Sequence, residues 1–272
     1  MNCILHILSL LTLNNIGDVE CVCMRGRFHY YEGNDMTKVV LPVRVMRQLG
    51  VKLIIVTNAA GGLNPEFNVG DIMIIQDHFG LPCVAGNTPL RGINDETLGP
   101  RFPAVSDAFD EKLQDFVVEC SKKLGIEKLI RKDGTYCFVS GPQYESKAES
   151  RFLRNAVNGD AVGMSTIPEV LAAKHCGMKI LGLSLITNKV VVSKEQKVHA
   201  THKEVLEATE KSGKYVEDIV KELFQNAKLL EYLKALPDVP PAPAPKKDYS
   251  AFAKLGVVAA IIYTASLIMH SN

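Results

Sequence analysis

Two short polar stretches, each directly after an apolar run, have residue types suited to binding an anion. Arg27 and His29 follow Cys21–Met24 and, being two residues apart, share one face of an extended segment. The Arg guanidinium offers a fork of N–H donors that matches phosphate. Residues 58–62 (NAAGG) follow Leu53–Val56 and expose backbone N–H groups without bulky side chains, which suits a phosphate-binding nest. The alternatives without a ligand are a surface salt bridge for Arg27, a satisfied polar contact for His29 and a tight turn for NAAGG.

Other stretches have residue types suited to a flat, polar ligand. Tyr144 can stack on a ring, and Glu145 can accept hydrogen bonds from it, although a surface turn with a solvated carboxylate explains both equally. Asn188 closely follows the buried run Lys179–Ile186, and its amide both donates and accepts. His202 stands in the first turn of the last long helical pattern.

The elements that must position these residues alternate along the chain. Apolar runs predict six strands: Cys21–Met24, Leu53–Val56, Asp71–Gln76, Thr135–Val139, Ala161-Val162 and Lys179–Ile186. Helical spacing of Leu41, Val45 and Leu49 predicts one helix, and residues 203–233 predict a long helix broken near Gly213. Strands alternating with helices indicate an α/β fold with a mixed, largely parallel twisted sheet flanked by helices. Ligands bind beyond the carboxyl ends of such strands.

Three predicted helix starts share the capping-box pattern, in which a Ser or Thr precedes a Glu by three positions. The pairs are Ser146 with Glu149, Thr166 with Glu169, and Thr201 with Glu204. We expect simple helix capping at each, although helix N-termini also favour anions.

Composition excludes several classes of function. The chain has 272 residues, 47% of them hydrophobic and 22% charged, and a net charge of +1. No run of Lys or Arg exceeds two residues, which argues against nucleic acid as the main partner. Seven scattered cysteines without a CxxC motif argue against a disulfide framework or a metal site and favour a reducing cytosol.

The two ends of the chain differ from the middle. Residues 1–16 have no clear character, and because they lack a basic n-region and an A-x-A cleavage site we do not expect a secretory signal. Residues 237–250 are Pro-rich and predict a stiff linker. Residues 251–269 are almost wholly apolar and as a helix would be about 28 Å long, near the thickness of a bilayer core. We expect a tail anchor at the cytoplasmic face of a membrane; the alternative is a buried C-terminal helix.

Seven motifs, taken together and in this order, resemble the trimeric purine nucleoside phosphorylase family. They are GRFHYYEG, VTNAAGGLNP, GDIMIIQDH, PLRGIND, SGPQYES, VGMSTIPEV and SLITNKV, and the resemblance runs from Gly17 to Leu236. It implies a homotrimer that cleaves inosine or guanosine with inorganic phosphate, giving a free base and ribose 1-phosphate. It implies no metal and no organic cofactor, phosphate being a co-substrate.

The resemblance also assigns roles to residues. It implies that phosphate is held by Arg27, His29, Ser165 and the Ala59 backbone, beside Asn58. The ribose would contact Tyr31, His202 and Met164, with Tyr144 stacked on the base. Glu145 and Asn188 would bind the purine edge, and Asn188 would stabilise negative charge developing on the leaving base. Catalysis would then rest on Asn188, Glu145 and His29.

The sequence departs from the family pattern in three places. The GSGLG-type loop whose serine holds phosphate is not found, so we expect a domain over 17–236 that is truncated at its N-terminal side. Leu98 stands where the family often has Phe, and the apolar tail is unusual. Two alternatives remain open: a weak or inactive membrane-anchored relative acting as a binding or scaffold protein, and a methylthioadenosine phosphorylase, which usually has Asp at the position of Asn188.

Overall fold

A computed structural model describes residues 11–193, 202–238 and 259–263. The strands in these ranges are β1 Leu11–Ile16, β2 Val19–Arg25, β3 Leu53–Gly62, β4 Ile72–Gly80, β5 Ile130–Phe138, β6 Ala161–Gly163, β7 Lys179–Lys189 and β8 Ala259–Tyr263. The helices are α1 Met36–Gln48, α2 Leu81–Val84, α3 Glu111–Lys123, α4 Lys147–Asn155, α5 Ile167–His175, α6 His202–Leu223 and α7 Ala227–Ala235. All six strands predicted from the sequence are present.

The strands form one mixed sheet in the order β1-β2-β8-β3-β6-β5-β4-β7, and β7 also pairs with β3. Strands β3, β6, β5, β4 and β7 therefore close into a ring, from which β8, β2 and β1 extend. Five pairings are parallel and three antiparallel. The prediction of a mixed, largely parallel sheet is confirmed.

Helices cover both faces of the sheet, as the alternation of side chains along β3 demonstrates. Ile54 and Val56 belong to a core cluster that includes residues of α1 and α5. Leu53 and Ile55 belong to a second cluster that includes residues of α3, α6 and α7. Because successive side chains of a strand point to opposite faces, the near-continuous apolar run of β3 is buried on both sides.

The small residues after Val56 do not form a turn, so that interpretation of NAAGG is wrong. β3 continues through them and stays paired with β7 as far as Gly62 and Lys189, with a register shift at Ala60 and Gly61. A Cβ on Gly61 would lie 2.7 Å from Cγ2 of Val190. The glycine is needed because the strands and their side chains crowd one another there, not because the chain reverses.

The helix starts and breaks also differ from expectation. The Ser146 box is confirmed, since its side chain accepts from Glu149 N while Glu149 accepts from Ser146 N. Thr166 forms no side-chain capping bond, and Thr201 lies outside the described residues. Helix α6 runs through Gly213 and ends at Leu223, so the predicted break is ten residues early. Burial against the sheet outweighs the modest cost of a helical glycine.

The apolar C-terminal segment forms a strand where it is described, so a helix over all of 251–269 is wrong. β8 pairs in parallel with both β2 and β3, with Ala259 opposite Leu53 and Cys21. A run apolar on every side fits a buried strand as well as a buried helix, and here pairing on both edges decides. Helices within 11–193 and 202–238 are too short or too polar to cross a bilayer. Residues 239–258 and 264–272, including most of the predicted linker and anchor, are outside the described ranges.

Candidate active site

Arg27 lies just beyond the carboxyl end of β2 and is held inside the protein. Its Nη1 donates to Ser165 Oγ at 2.6 Å and to Thr166 Oγ1 at 3.0 Å, and its Nη2 donates to the Thr57 carbonyl at 3.0 Å. Its Nε lies 3.4 Å from Oε1 of Glu169. The guanidinium is therefore a buried positive charge directly behind the Ser165 hydroxyl.

His29 is the N-cap of a short 3₁₀ helix, Tyr30–Glu32, which positions its side chain. The Glu32 carboxylate accepts from the His29 backbone N–H at 3.0 Å and lies 3.3 Å from His29 Nδ1. The imidazole stacks on the Tyr31 ring with 4.7 Å between ring centroids. Burial, helped by the nearby Arg27 charge, lowers the pKa of His29. Because Nδ1 faces Glu32, Nε2 is the ring nitrogen that remains for a ligand.

The carboxyl-terminal part of β3 forms the floor between these groups. Ala59, Ala60 and Gly61 line the cavity described below. Asn58 is fully buried behind that floor, and its Nδ2 donates to Thr166 Oγ1 at 3.0 Å. Asn58 is therefore a neighbour of the Arg27 cluster and not a cavity wall.

The opposite end of the site has amide, carboxylate and aromatic groups. Tyr144 and Glu145 stand on the loop between β5 and α4, and Asn188 is near the end of β7. The Thr187 hydroxyl lies within hydrogen-bond distance of two acceptors, Asn188 Oδ1 at 3.2 Å and the Ala60 carbonyl at 3.3 Å, which share its single proton. Burial raises the pKa of Glu145. Tyr144 lines the cavity and is 46% exposed.

These two ends meet in one cavity of about 470 Å³, the usual size for a small-molecule site. The site residues predicted from the sequence that line it are His29, Tyr31, Ala59, Tyr144, Glu145, Met164, Ser165 and Asn188. Arg27 and Asn58 lie behind the Ser165 side of the wall. His202 is the first residue of α6, whose Val205 and Leu206 line the cavity.

Eight residues that line the cavity are not among the site residues assigned by the resemblance: Glu32, Ala60, Gly61, Val162, Gly163, Thr187, Val205 and Leu206. The first six stand inside the motifs GRFHYYEG, VTNAAGGLNP, VGMSTIPEV and SLITNKV, so their signal is their position beside a predicted site residue. Val205 and Leu206 have ordinary helical spacing, and no sequence signal separates them from core residues. In the described part of the chain, no cluster of three or more His, Cys, Asp or Glu is arranged to hold a metal ion.

Comparison with known proteins identifies the family. The profile of the Phosphorylase superfamily matches residues 10–225. Purine nucleoside phosphorylase of Bos taurus is 52% identical over 200 residues, which are 74% of this chain and 68% of the bovine protein. The chain belongs to the purine nucleoside phosphorylase family. Purine nucleoside phosphorylase 1 of Bacillus subtilis (strain 168) is 49% identical over 74% of this chain and 71% of its own length.

Solved structures of the family have the same fold. Schistosoma purine nucleoside phosphorylase in complex with hypoxanthine has a TM-score of 0.77 at 40% identity, covering 80% of this chain and 77% of that one. The Schistosoma mansoni enzyme in complex with inosine has a TM-score of 0.76 at 39% identity, covering 84% and 77%. The resemblance noted in the motifs is confirmed.

Proposed function

We propose that this chain is a purine-nucleoside phosphorylase that cleaves inosine and guanosine with orthophosphate. The products are the purine base and ribose 1-phosphate. The observation that carries the proposal is the two-ended cavity, with Ser165, His29 and the buried Arg27 at one end and Glu145 and Asn188 at the other. Its membership of the family and the purine ligands of its structural neighbours support it.

The reaction needs a nucleophile below the sugar and a stabilised leaving base above it. A phosphate oxygen forms a bond to the anomeric carbon while the bond from that carbon to the purine nitrogen breaks, and the electron pair leaves with the base. The transition state therefore resembles a sugar cation between two anions, as in glycoside cleavage. Ser165, His29 and Arg27 hold the phosphate, with Asn58 behind it and the Ala59 backbone beside it. Tyr31, His202 and Met164 hold the ribose.

The base end lowers the barrier by stabilising the charge that the purine acquires. Asn188 Nδ2 donates to the purine edge, and the Thr187 hydroxyl, 3.2 Å from Oδ1, favours that orientation of the amide. A donor placed at developing negative charge is worth about 10²–10³ in rate. Glu145 accepts from the N–H groups of a 6-oxopurine, and Tyr144 stacks on its face. An amide at 188 can satisfy the carbonyl of a 6-oxopurine, which favours inosine and guanosine over methylthioadenosine.

The proposal includes a homotrimer and chemistry without a metal or an organic cofactor, both taken from the family. It also includes a cytosolic location, supported by the unpaired state of the described cysteines and the rarity of disulfides in that compartment. Attachment to a membrane is not part of it.

The test is turnover by the purified full-length chain with inosine, with and without orthophosphate. We expect hypoxanthine release that depends on phosphate and falls by about 10²–10³ in Asn188→Ala. Binding of hypoxanthine with no turnover at any enzyme concentration would contradict the proposal and favour a binding protein instead.

A further inference from the structure

Thr166 has a backbone conformation that demands an explanation. Its φ is +80° and its ψ is −53°, although it is a β-branched residue. Such residues rarely adopt positive φ, and conformations of this kind persist only where the surroundings enforce them. Helix capping does not enforce it, because the Thr166 side chain makes no capping hydrogen bond at the start of α5.

The Thr166 hydroxyl is instead the meeting point of the polar groups behind the phosphate end. It accepts from Arg27 Nη1 and from Asn58 Nδ2, each at 3.0 Å, and lies 3.2 Å from Ser165 Oγ. Thr166 itself is completely buried. The Thr166 hydroxyl thus joins Arg27, which follows β2, to Asn58 of β3 and Ser165 of the loop before α5.

Glu169, one turn further along α5, supplies the opposite charge. Its Oε1 lies 3.4 Å from Arg27 Nε, and the two side chains are 3% and 1% exposed. Neither Arg27 Nε nor Glu169 Oε2 has an aligned hydrogen bond in the protein. The contact is therefore a buried charge pair without a hydrogen bond. It fixes the position of the guanidinium but does not satisfy the hydrogen-bonding capacity of Nε.

Resting on the proposed function, we infer that Thr166 and Glu169 are positioning residues for phosphate. Neither lines the cavity. Thr166 fixes the guanidinium of Arg27 against the back of Ser165, and Glu169 holds its other side, so that the Ser165 hydroxyl and the positive charge face the same anion. We expect the pair to act mainly on phosphate, because its side chains contact Arg27, Ser165 and Asn58 and no contact with Glu145 or Asn188 is found among the described residues.

Two matched pairs of variants test this inference. Thr166→Val keeps the branched shape and the backbone strain but removes the hydroxyl, whereas Thr166→Ser keeps the hydroxyl. Glu169→Gln keeps the shape and removes the charge, and Lys174→Gln is a control that removes from the same helix a half-buried charge that pairs with Asp107 and does not line the cavity. KM for phosphate and KM for inosine are measured separately for each, with the Tm of each unliganded variant.

We expect Thr166→Val and Glu169→Gln to raise the KM for phosphate by about tenfold or more, in the range known for supporting residues, and to leave the KM for inosine within about twofold. Thr166→Ser and Lys174→Gln should behave as wild type. A folded Thr166→Val or Glu169→Gln protein with unchanged KM for phosphate overturns the inference, as do equal rises in both KM values.

A second readout separates this inference from the proposed function. The rise in Tm on adding orthophosphate does not require turnover. A wild-type chain that is stabilised by phosphate but inactive, with the stabilisation lost in Thr166→Val and kept in Thr166→Ser, supports the inference while the proposed function fails. A wild-type chain without any response to phosphate overturns both.

Discussion

The Thr187 hydroxyl lies 3.2 Å from Oδ1 of Asn188, and this contact favours the orientation of the amide in which Oδ1 faces Thr187. In that orientation Nδ2 is turned toward Gly61, which lines the cavity. A Cβ built on Gly61 would lie 3.2 Å from Nδ2. Asn188 therefore presents an amide donor at the cavity-lining residue Gly61.

Replacing that donor should change which base is accepted. Asn188→Asp puts a carboxylate oxygen where Nδ2 stands, so it repels the carbonyl of a 6-oxopurine and accepts from a 6-amino group. We expect kcat/KM for inosine to fall by about 10²–10³ and kcat/KM for adenosine to rise. Steady-state kinetics with both nucleosides checks this. Equal losses for both, or an unchanged ratio, would count against the assigned orientation of Asn188.

Base binding should depend on pH through Glu145. Burial raises the pKa of this carboxyl above its ordinary 4.5, and only the ionised form accepts both N–H groups of guanine. Affinity for guanine should therefore be full above the raised pKa and fall about tenfold per pH unit below it. Calorimetric titration across pH 4–8 measures this.

The matched variant for that experiment is Glu145→Gln, which has no ionisable group at this position. We expect weaker binding at pH 7 and a flat profile toward lower pH. A falling limb that persists in Glu145→Gln would assign the titration to another residue.

Crowding at Gly61 predicts that even one methyl group is harmful. In Gly61→Ala the new Cβ would stand 2.7 Å from Val190 Cγ2 and 3.2 Å from Asn188 Nδ2, so one of them must move. We expect a loss of about 1–3 kcal/mol in unfolding free energy and a large loss of turnover. The double variant Gly61→Ala with Val190→Ala should recover much of the stability in urea unfolding, and failure to do so would place the strain elsewhere.

The sheet beneath the site should depend on the C-terminal strand. β8 lies between β2 and β3 in the sheet. Arg27 follows β2, and Asn58 and Ala59 belong to β3. Asp238 pairs with Lys52 at 2.7 Å, and Ala259 lies opposite the next residue, Leu53. Asp238 and Ala259 therefore both lie at the start of β3.

Ile261→Pro tests that dependence, because proline removes a ladder donor in the middle of a strand that is paired on both edges. We expect a loss of about 1–3 kcal/mol and a Tm several degrees lower, with phosphate binding weakened. Ile261→Val is the matched control and should differ little. An unchanged Tm in Ile261→Pro, or in a chain ending at Asp238, would show that β8 contributes nothing.

Much of this architecture was available from the sequence, because strands buried on both faces read as continuous apolar runs. The errors have physical causes. The propensity of the two glycines in NAAGG favours a turn. β3 nevertheless continues through them, because its pairing with β7 keeps them in the strand. The run that contains Ala259–Tyr263 is apolar on every side, so its pattern cannot distinguish a strand between two partners from a spanning helix.

The site was predictable to the extent that its residues sit in compact motifs. Thr166 and Glu169 fit a capping box, and only three-dimensional contacts with Arg27 and Asn58 reveal a different role. The order of Thr187 and Asn188 is visible in the sequence, but the direction of the amide is not. Long-range contacts of this kind have no local signature.

The central claim is that purine and orthophosphate bind side by side in one cavity and react there. Phosphorus NMR of the purified full-length chain with inosine and orthophosphate tests it most directly. The account predicts a ribose 1-phosphate resonance that grows in step with hypoxanthine. Hypoxanthine released together with free ribose, or no sugar phosphate at any enzyme concentration, would contradict it.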